Sequence, residues 1–292
     1  MEEYQLVKLN PELDFFTLNA IEAKFLYEEI FLDSVYSNNG IVLKEKDCII
    51  DVGANQGMFA LYIHKQLSNY KLFCIEPVPE TFNVLSKNTM KHGINAVLLN
   101  TGLSDTISSK TISYYNTVTS IASMNPALTS FKNNFGLATI FIKSFWNELI
   151  LVTNFSSMIS TTLHTIFNLK IRKAKIKLVP FSNIIEEHKI KKINLLKIDV
   201  EGNEIEVLAG ISDNDWEKIE QIVMELHQFA IGKEGLERIE TLLASKGFKS
   251  IMEDNAECLK KALSSYFGFS KESLTNISFG EHSIYSLYAT KT

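Results

Sequence analysis

The chain has 292 residues, of which 46% are hydrophobic and 22% charged, with a formal net charge of −5. That length and apolar content suit one large domain with a sizeable core. An acidic balance with no long basic run argues against nucleic acid as the main partner. The three cysteines include no C-x-x-C pair, which points to free thiols in a reducing compartment and away from a disulfide framework or a cysteine zinc site.

Residues 1–20 are polar, with little periodicity. The opening Met1-Glu2-Glu3-Tyr4 does not resemble a secretory signal, so a cytoplasmic protein is expected. The spacing of Ile21, Phe25, Leu26, Ile30, Leu32 and Tyr36 predicts a helix over 20–36, stopped by Asn38-Asn39-Gly40. Residues 1–40 then form a helical lead-in and 41–292 a single domain. Ile41–Leu43 reads as a short strand.

The chain is organised around Asp47-Cys48-Ile49-Ile50-Asp51-Val52-Gly53-Ala54-Asn55-Gln56-Gly57. Cys48–Val52 is a short apolar run of the kind that makes a buried parallel strand. Gly53–Gly57 is a glycine-bounded turn, and Met58–Leu67 reads as a helix. Strand, glycine turn and helix is a nucleotide-cofactor geometry. The glycines are spaced G-x-x-x-G and an acid stands two residues before the first. A pyrophosphate wants backbone N–H groups without a carboxylate among them. A cationic cofactor without that group tolerates Asp51.

Leu72–Ile75 is a second strand, ending at Glu76. A carboxylate at that tip can accept both hydroxyls of a ribose, each bond charge-assisted. Glu80–Lys91 is the next helix, with Phe82, Leu85 and Met90 as inward candidates. Ala96–Leu99 is a third strand, and Asn100–Asp105 is its exit loop. Lys110–Tyr115 reads as a further strand.

Within an insertion at about 125–172, Phe131–Leu169 holds many Phe, Ile and Leu, broken by Asn and Ser. No integral membrane span is expected there, because a spanning helix needs about 20 mainly apolar residues. A largely helical insertion over the cofactor cleft is expected instead. The basic patch Lys170–Lys177 reads as a solvated strand edge. Strands then follow at Ile176–Val179, Ile193–Ile198, Gln221–Met224, Phe248–Met252 and Ser283–Ala289. Helices are expected at Phe181–Glu187, Asn203–Ala209 (with Glu204 and Glu206 outward) and Gly235–Lys246. The alternation predicts an α/β fold with a doubly wound, mostly parallel sheet. The final pair lacks a crossover helix, so at least one antiparallel strand is expected.

Three stretches carry a family resemblance: C-I-I-D-V-G-A-N-Q-G, F-C-I-E-P-V-P-E-T-F-N-V-L and L-L-K-I-D-V-E-G-N-E-I-E-V-L-A-G. In that order and spacing the chain resembles the FkbM family of S-adenosylmethionine-dependent methyltransferases. The likeness covers about residues 27–57, 72–105 and 175–250, and leaves out the insertion. It implies a Rossmann-like class I methyltransferase sheet of seven strands, the last antiparallel. It implies S-adenosylmethionine as cofactor. Asp51, Gly53, Asn55 and Gly57 would lie near its methionine end, Glu76 at the ribose, and Ser104 and Asp105 near the adenine. Asp199 would face the sulfonium or the acceptor.

Methyl transfer to an alcohol benefits from a base beside the acceptor. His227, a residue or two beyond the fifth strand where the sheet opens toward the cleft, is the first candidate because its ordinary pKa suits neutral pH. Asp199 is the second, with Glu201 and Glu225 behind it. No ligand spacing diagnostic of a metal is found. The expected acceptor is a hydroxyl of a small molecule, free or carried on a partner. N-methylation, or cofactor binding without catalysis, are the alternatives.

Overall fold

The computed structural model describes residues 4–115, 171–257, 260, 261, 264 and 283–292. It opens with a hairpin that the sequence reading missed, β1 (Gln5–Asn10) against β2 (Leu13–Thr17). Leu13, Phe15 and Thr17 alternate inward over only five residues, too short a run to stand out. The predicted helix over 20–36 is α1 (Ala20–Tyr27) followed by a π-turn, Glu28–Leu32, and a short 3-10 turn, Val35–Ser37. Asn19 caps α1 with its side chain. Glu22 and Glu29 are buried, whereas Ile21 and Leu32 are exposed. Residues 41–43 form no strand.

The glycine-turn unit forms where its pattern predicts. It runs β3 (Cys48–Val52), α2 (Met58–Gln66), β4 (Lys71–Ile75), α3 (Pro79–His92) and β5 (Ala96–Leu99). Met90 is exposed, contrary to the reading of α3, while Leu85 is fully buried. The exit loop after β5 holds a two-residue strand, β6 (Gly102–Leu103). It joins β7 (Ser108–Tyr115) and β8 (Ile171–Val179) in a separate three-stranded sheet, order β6-β8-β7. The basic patch is therefore in a central strand, not an edge. Lys173, Lys175 and Lys177 do face solvent. The insertion expected at 125–172 lies outside the described residues, except for its last two, which open β8.

The second half runs α4 (Phe181–Glu187), β9 (Leu195–Ile198), α5 (Glu204–Ala209), α6 (Asp213–Trp216), β10 (Gln221–His227), α7 (Gln228–Ser245), β11 (Phe248–Asp254) and β12 (Ile284–Lys291). The main sheet has seven strands in the order β11-β12-β10-β9-β3-β4-β5. β12 is antiparallel to both β10 and β11, while β10, β9, β3, β4 and β5 are mutually parallel. The expected sheet and its antiparallel strand are both present.

Both faces of the sheet are covered, which is why its central strands are apolar throughout. Ile50, Val52, Phe73 and Ile75 pack on one side with Phe181, Leu208 and Trp216. Ile49, Leu72 and Cys74 pack on the other with Phe59, Ile63 and Leu85. Each such side chain contributes about 1.5–3 kcal/mol on burial. No described helix is long and apolar enough to cross a membrane.

Candidate active site

The register of the parallel strands builds the site. Val52 pairs with Ile75 and with Ile198, and Ile198 pairs with Met224. One step further along these strands stand Gly53, Glu76, Asp199 and Glu225. Four chain segments far apart in sequence thus end in one row at the carboxyl edge, where open α/β sheets bind ligands.

The glycine turn is pressed against this row. Gly53 has φ +80°, and a Cβ there would lie 1.7 Å from the Asp199 carbonyl oxygen. Only glycine fits such an approach. Gly57, at φ +91°, opens α2 beside Leu85. Asn55 takes a left-handed φ of +47°, and its N–H donates to Glu76 Oε2 at 3.0 Å. The Val78 N–H donates to Glu76 Oε1 at 2.8 Å. Burial pushes the Glu76 carboxyl up to about 7 against the pull of these two N–H donors. The turn is also tied to the N-terminal segment. Gln56 donates to Glu22 Oε2 at 3.2 Å and accepts from the Leu18 N–H at 2.8 Å.

Lys197 is the residue that the sequence reading overlooked. It lies in β9, almost wholly buried, with Nζ 3.0 Å from Asp51 Oδ1, 3.6 Å from Asp199 Oδ2 and 3.2 Å from the Gly53 carbonyl oxygen. Nζ also lies 5.1 Å from the Tyr36 ring centre and 5.8 Å from that of Phe59. Burial pulls the ammonium's pKa down, but Asp51 and Asp199 outweigh it and hold the pKa above its ordinary value. Burial raises the Asp51 carboxyl, and Lys197 opposes that rise. Tyr36, from the 3-10 turn, donates its hydroxyl to Asp199 Oδ2 at 3.3 Å. Oδ2 of Asp199 thus meets both a phenol and an ammonium.

His227 lies at the end of β10, not beyond it. It is buried beside Glu201, Glu225 and Glu204. Glu204, expected outward, is fully buried and accepts from the Gly202 N–H at 2.8 Å. Ser104 and Asp105 stand apart from the row. Ser104 is buried, with its hydroxyl donating to Asp105 Oδ1 at 3.1 Å, while Asp105 is exposed. Asn100 links this loop back by donating to the Glu76 carbonyl oxygen at 2.8 Å. Among the described residues, no group of three or more His, Cys, Asp or Glu is placed to hold a metal ion.

The residues fit S-adenosylmethionine, the cofactor implied by the resemblance. Asp51 Oδ2 is buried with no hydrogen-bond partner among the described residues, which suits a ligand ammonium. Glu76 offers a buried carboxylate at the next strand tip, and the left-handed turn brings bare backbone to the same place. Comparison with known proteins agrees. Residues 51–250 match the methyltransferase FkbM domain. The chain is 31% identical over 240 residues to the 31-O-demethyl-FK506 methyltransferase FkbM of Streptomyces tacrolimicus, covering 82% of this chain and 86% of that one. It is 29% identical over 256 residues to methyltransferase sdnD of Sordaria araneosa, covering 84% and 89%. It is 25% identical over 184 residues to the hexuronic acid methyltransferase AglP of Haloferax volcanii, covering 63% and 57%. With its glycine turn, strand-tip acids and seven-stranded sheet inside that match, the chain belongs to the FkbM family of S-adenosylmethionine-dependent methyltransferases.

Proposed function

We propose that the chain methylates a hydroxyl oxygen of a small molecule, a natural product or a sugar, free or presented on a carrier. S-adenosylmethionine, when bound, supplies an activated methyl on sulfur that needs alignment more than activation. Asp51, Gly53, Asn55 and Gly57 hold its methionine end, Glu76 the ribose, and Ser104 and Asp105 the adenine end. Asp199 takes the proton that the acceptor hydroxyl loses as the carbon–oxygen bond forms, and later releases it to solvent. The observation that carries this reading is the state of Asp199. Its Oδ2 is held by Tyr36 and Lys197, and its side chain is still 24% exposed at the cleft, which leaves Oδ1 for the acceptor. The names of two relatives, a demethyl-FK506 methyltransferase and a hexuronic acid methyltransferase, support oxygen as the target.

Calorimetric titration at pH 8 with S-adenosylmethionine and S-adenosylhomocysteine, with NADH as control, tests the cofactor site. Micromolar binding of the two sulfur nucleotides and none of NADH is expected. Affinity should also depend on pH with a fixed sign. The ribose hydroxyls donate to the ionised form of Glu76, which titrates at about 7. Below that pH, binding must displace a proton, so affinity weakens by up to about tenfold per unit. Above it the curve is flat, and Glu76→Gln removes the dependence. NADH binding in place of the sulfur nucleotides would defeat the reading. The oxygen target is tested by incubation with 31-O-demethyl-FK506 and with a hexuronic acid, scoring release of S-adenosylhomocysteine and an O-methyl product.

A further inference from the structure

His227 Nε2 lies 3.2 Å from Glu201 Oε2 and 3.2 Å from Glu225 Oε1. Nδ1 lies 3.6 Å from Glu204 Oε1, and the ring meets Phe229 of α7 edge-on, with centres 5.4 Å apart. Both ring nitrogens therefore face carboxylates. Burial raises both the Glu201 and the Glu225 carboxyls, and a hydrogen bond from His227 pulls Glu225 back down, so Nε2 carries a proton toward Glu225.

Depth separates the residues further. The His227 side chain is 2% exposed, whereas Glu201 and Glu225 are 19% and 15% exposed. The imidazole sits behind and the carboxylates in front. The turn that presents Glu201 is strained. Glu201 has φ +54°, a left-handed conformation that costs about 1–3 kcal/mol for such a residue. Gly202 follows at φ +94°, where a Cβ would meet the Ala230 Cβ at 2.4 Å. The chain is bent so that the Glu201 carboxylate returns to β10.

We infer that His227 is a positioning residue, which holds Glu201 and Glu225 as a fixed pair on the acceptor side of the cleft and does not itself take the acceptor's proton. The acceptor side is defined by the methyl-transfer reading above, on which the inference rests. The titratable groups facing the ring are Glu201 and Glu204 from the turn and the start of α5, and Glu225 from β10, with Asp199 beyond them; burial and the neighbouring acids raise Glu201, and His227 opposes that rise. Burial pulls the imidazole's pKa down, but Glu201, Glu204 and Glu225 together hold it well above its ordinary value.

The test is nitrogen-detected NMR of the full chain, labelled at its histidine rings, from pH 6 to 8.5. The His227→Gln spectrum assigns the signal. Both His227 nitrogens should stay at imidazolium shifts up to pH 8. In Glu201→Gln/Glu225→Gln the ring should titrate well below the unaltered protein, because burial remains and two of the three acids that oppose it are gone. If that double variant does not fold, Glu225→Gln alone should bring the titration part of the way down. A neutral ring at pH 7.5 in the unaltered protein would overturn the inference. Titration of the same sample with S-adenosylmethionine keeps the two questions apart. Failure to bind it counts against the methyl-transfer reading and leaves the ring's state legible.

Discussion

Asp199→Asn is expected to lower turnover by about 10²–10⁴-fold, the usual contribution of a positioned general base. Its affinity for S-adenosylmethionine should be nearly unchanged. The substitution keeps shape and hydrogen-bonding reach. An amide oxygen can still accept from Tyr36 and Lys197, which meet Oδ2 at 3.3 and 3.6 Å in the native site. What is lost is the second carboxylate oxygen, Oδ1, as a proton acceptor. The cofactor contacts proposed above belong to other strand tips, so binding and chemistry should separate. The measurement pairs calorimetry with the rate of S-adenosylhomocysteine release on an acceptor that the unaltered protein methylates. A variant that turns over at near-native rate would remove Asp199 from proton transfer and leave Glu201 or Glu225 to do it.

Lys197→Met is expected to cost about 3–5 kcal/mol of stability, because it strips the counter-charge from a buried acid. Asp51 is fully buried, and Lys197 is the cation that the structure sets against it, at 3.0 Å. Methionine fills most of the lysine stem's volume and still packs on Phe59 and Tyr36. The loss should therefore report charge more than cavity. Asp51→Asn/Lys197→Met should recover most of the stability, since a buried pair can often be replaced by neutral groups at little cost. Urea denaturation of the unaltered protein and of the two variants measures this. A single variant with native stability would mean that Asp51 is neutral in the folded protein. The double variant should not recover cofactor binding, because Asp51 is among the residues assigned to the methionine end.

Much of this was legible in the sequence. Cys48–Val52, Leu72–Ile75 and Leu195–Ile198 are apolar runs closed by an acid or a glycine, and each became a strand with that residue at its tip. Burial on both faces leaves such strands with one reading. Glutamates near helix starts were harder. Glu204 looked like a solvated residue but turns inward, because a buried turn N–H and an imidazole both need an acceptor. Lys197 did leave a signal, a lone charge between Leu196 and Ile198. A lysine there must find an anion, and the acids at 51 and 199 were already in view. Tyr36 left none. Its partner lies 163 positions away, and the turns that aim it replace what periodicity reads as continuous helix. In β10, Glu225 and His227 fall just past the strand that the pattern predicts, Gln221–Met224. They are alternate residues of the strand itself, at its carboxyl end.

The place of β12 in the sheet also sets an order of events during synthesis. It lies between β10 and β11, antiparallel to both, yet it follows them in the chain. Until residues 284–291 have left the ribosome, β10 and β11 each present an unpaired edge where β12 will lie, and such edges invite pairing with other chains. The nascent chain thus passes through a stage at which β3, β4 and β5 can already pair while the Glu225–His227 end of β10 is still unsupported on one side. A chaperone that shields β-strand edges would act on that stage, and a premature stop before Ile284 would leave the chain in it.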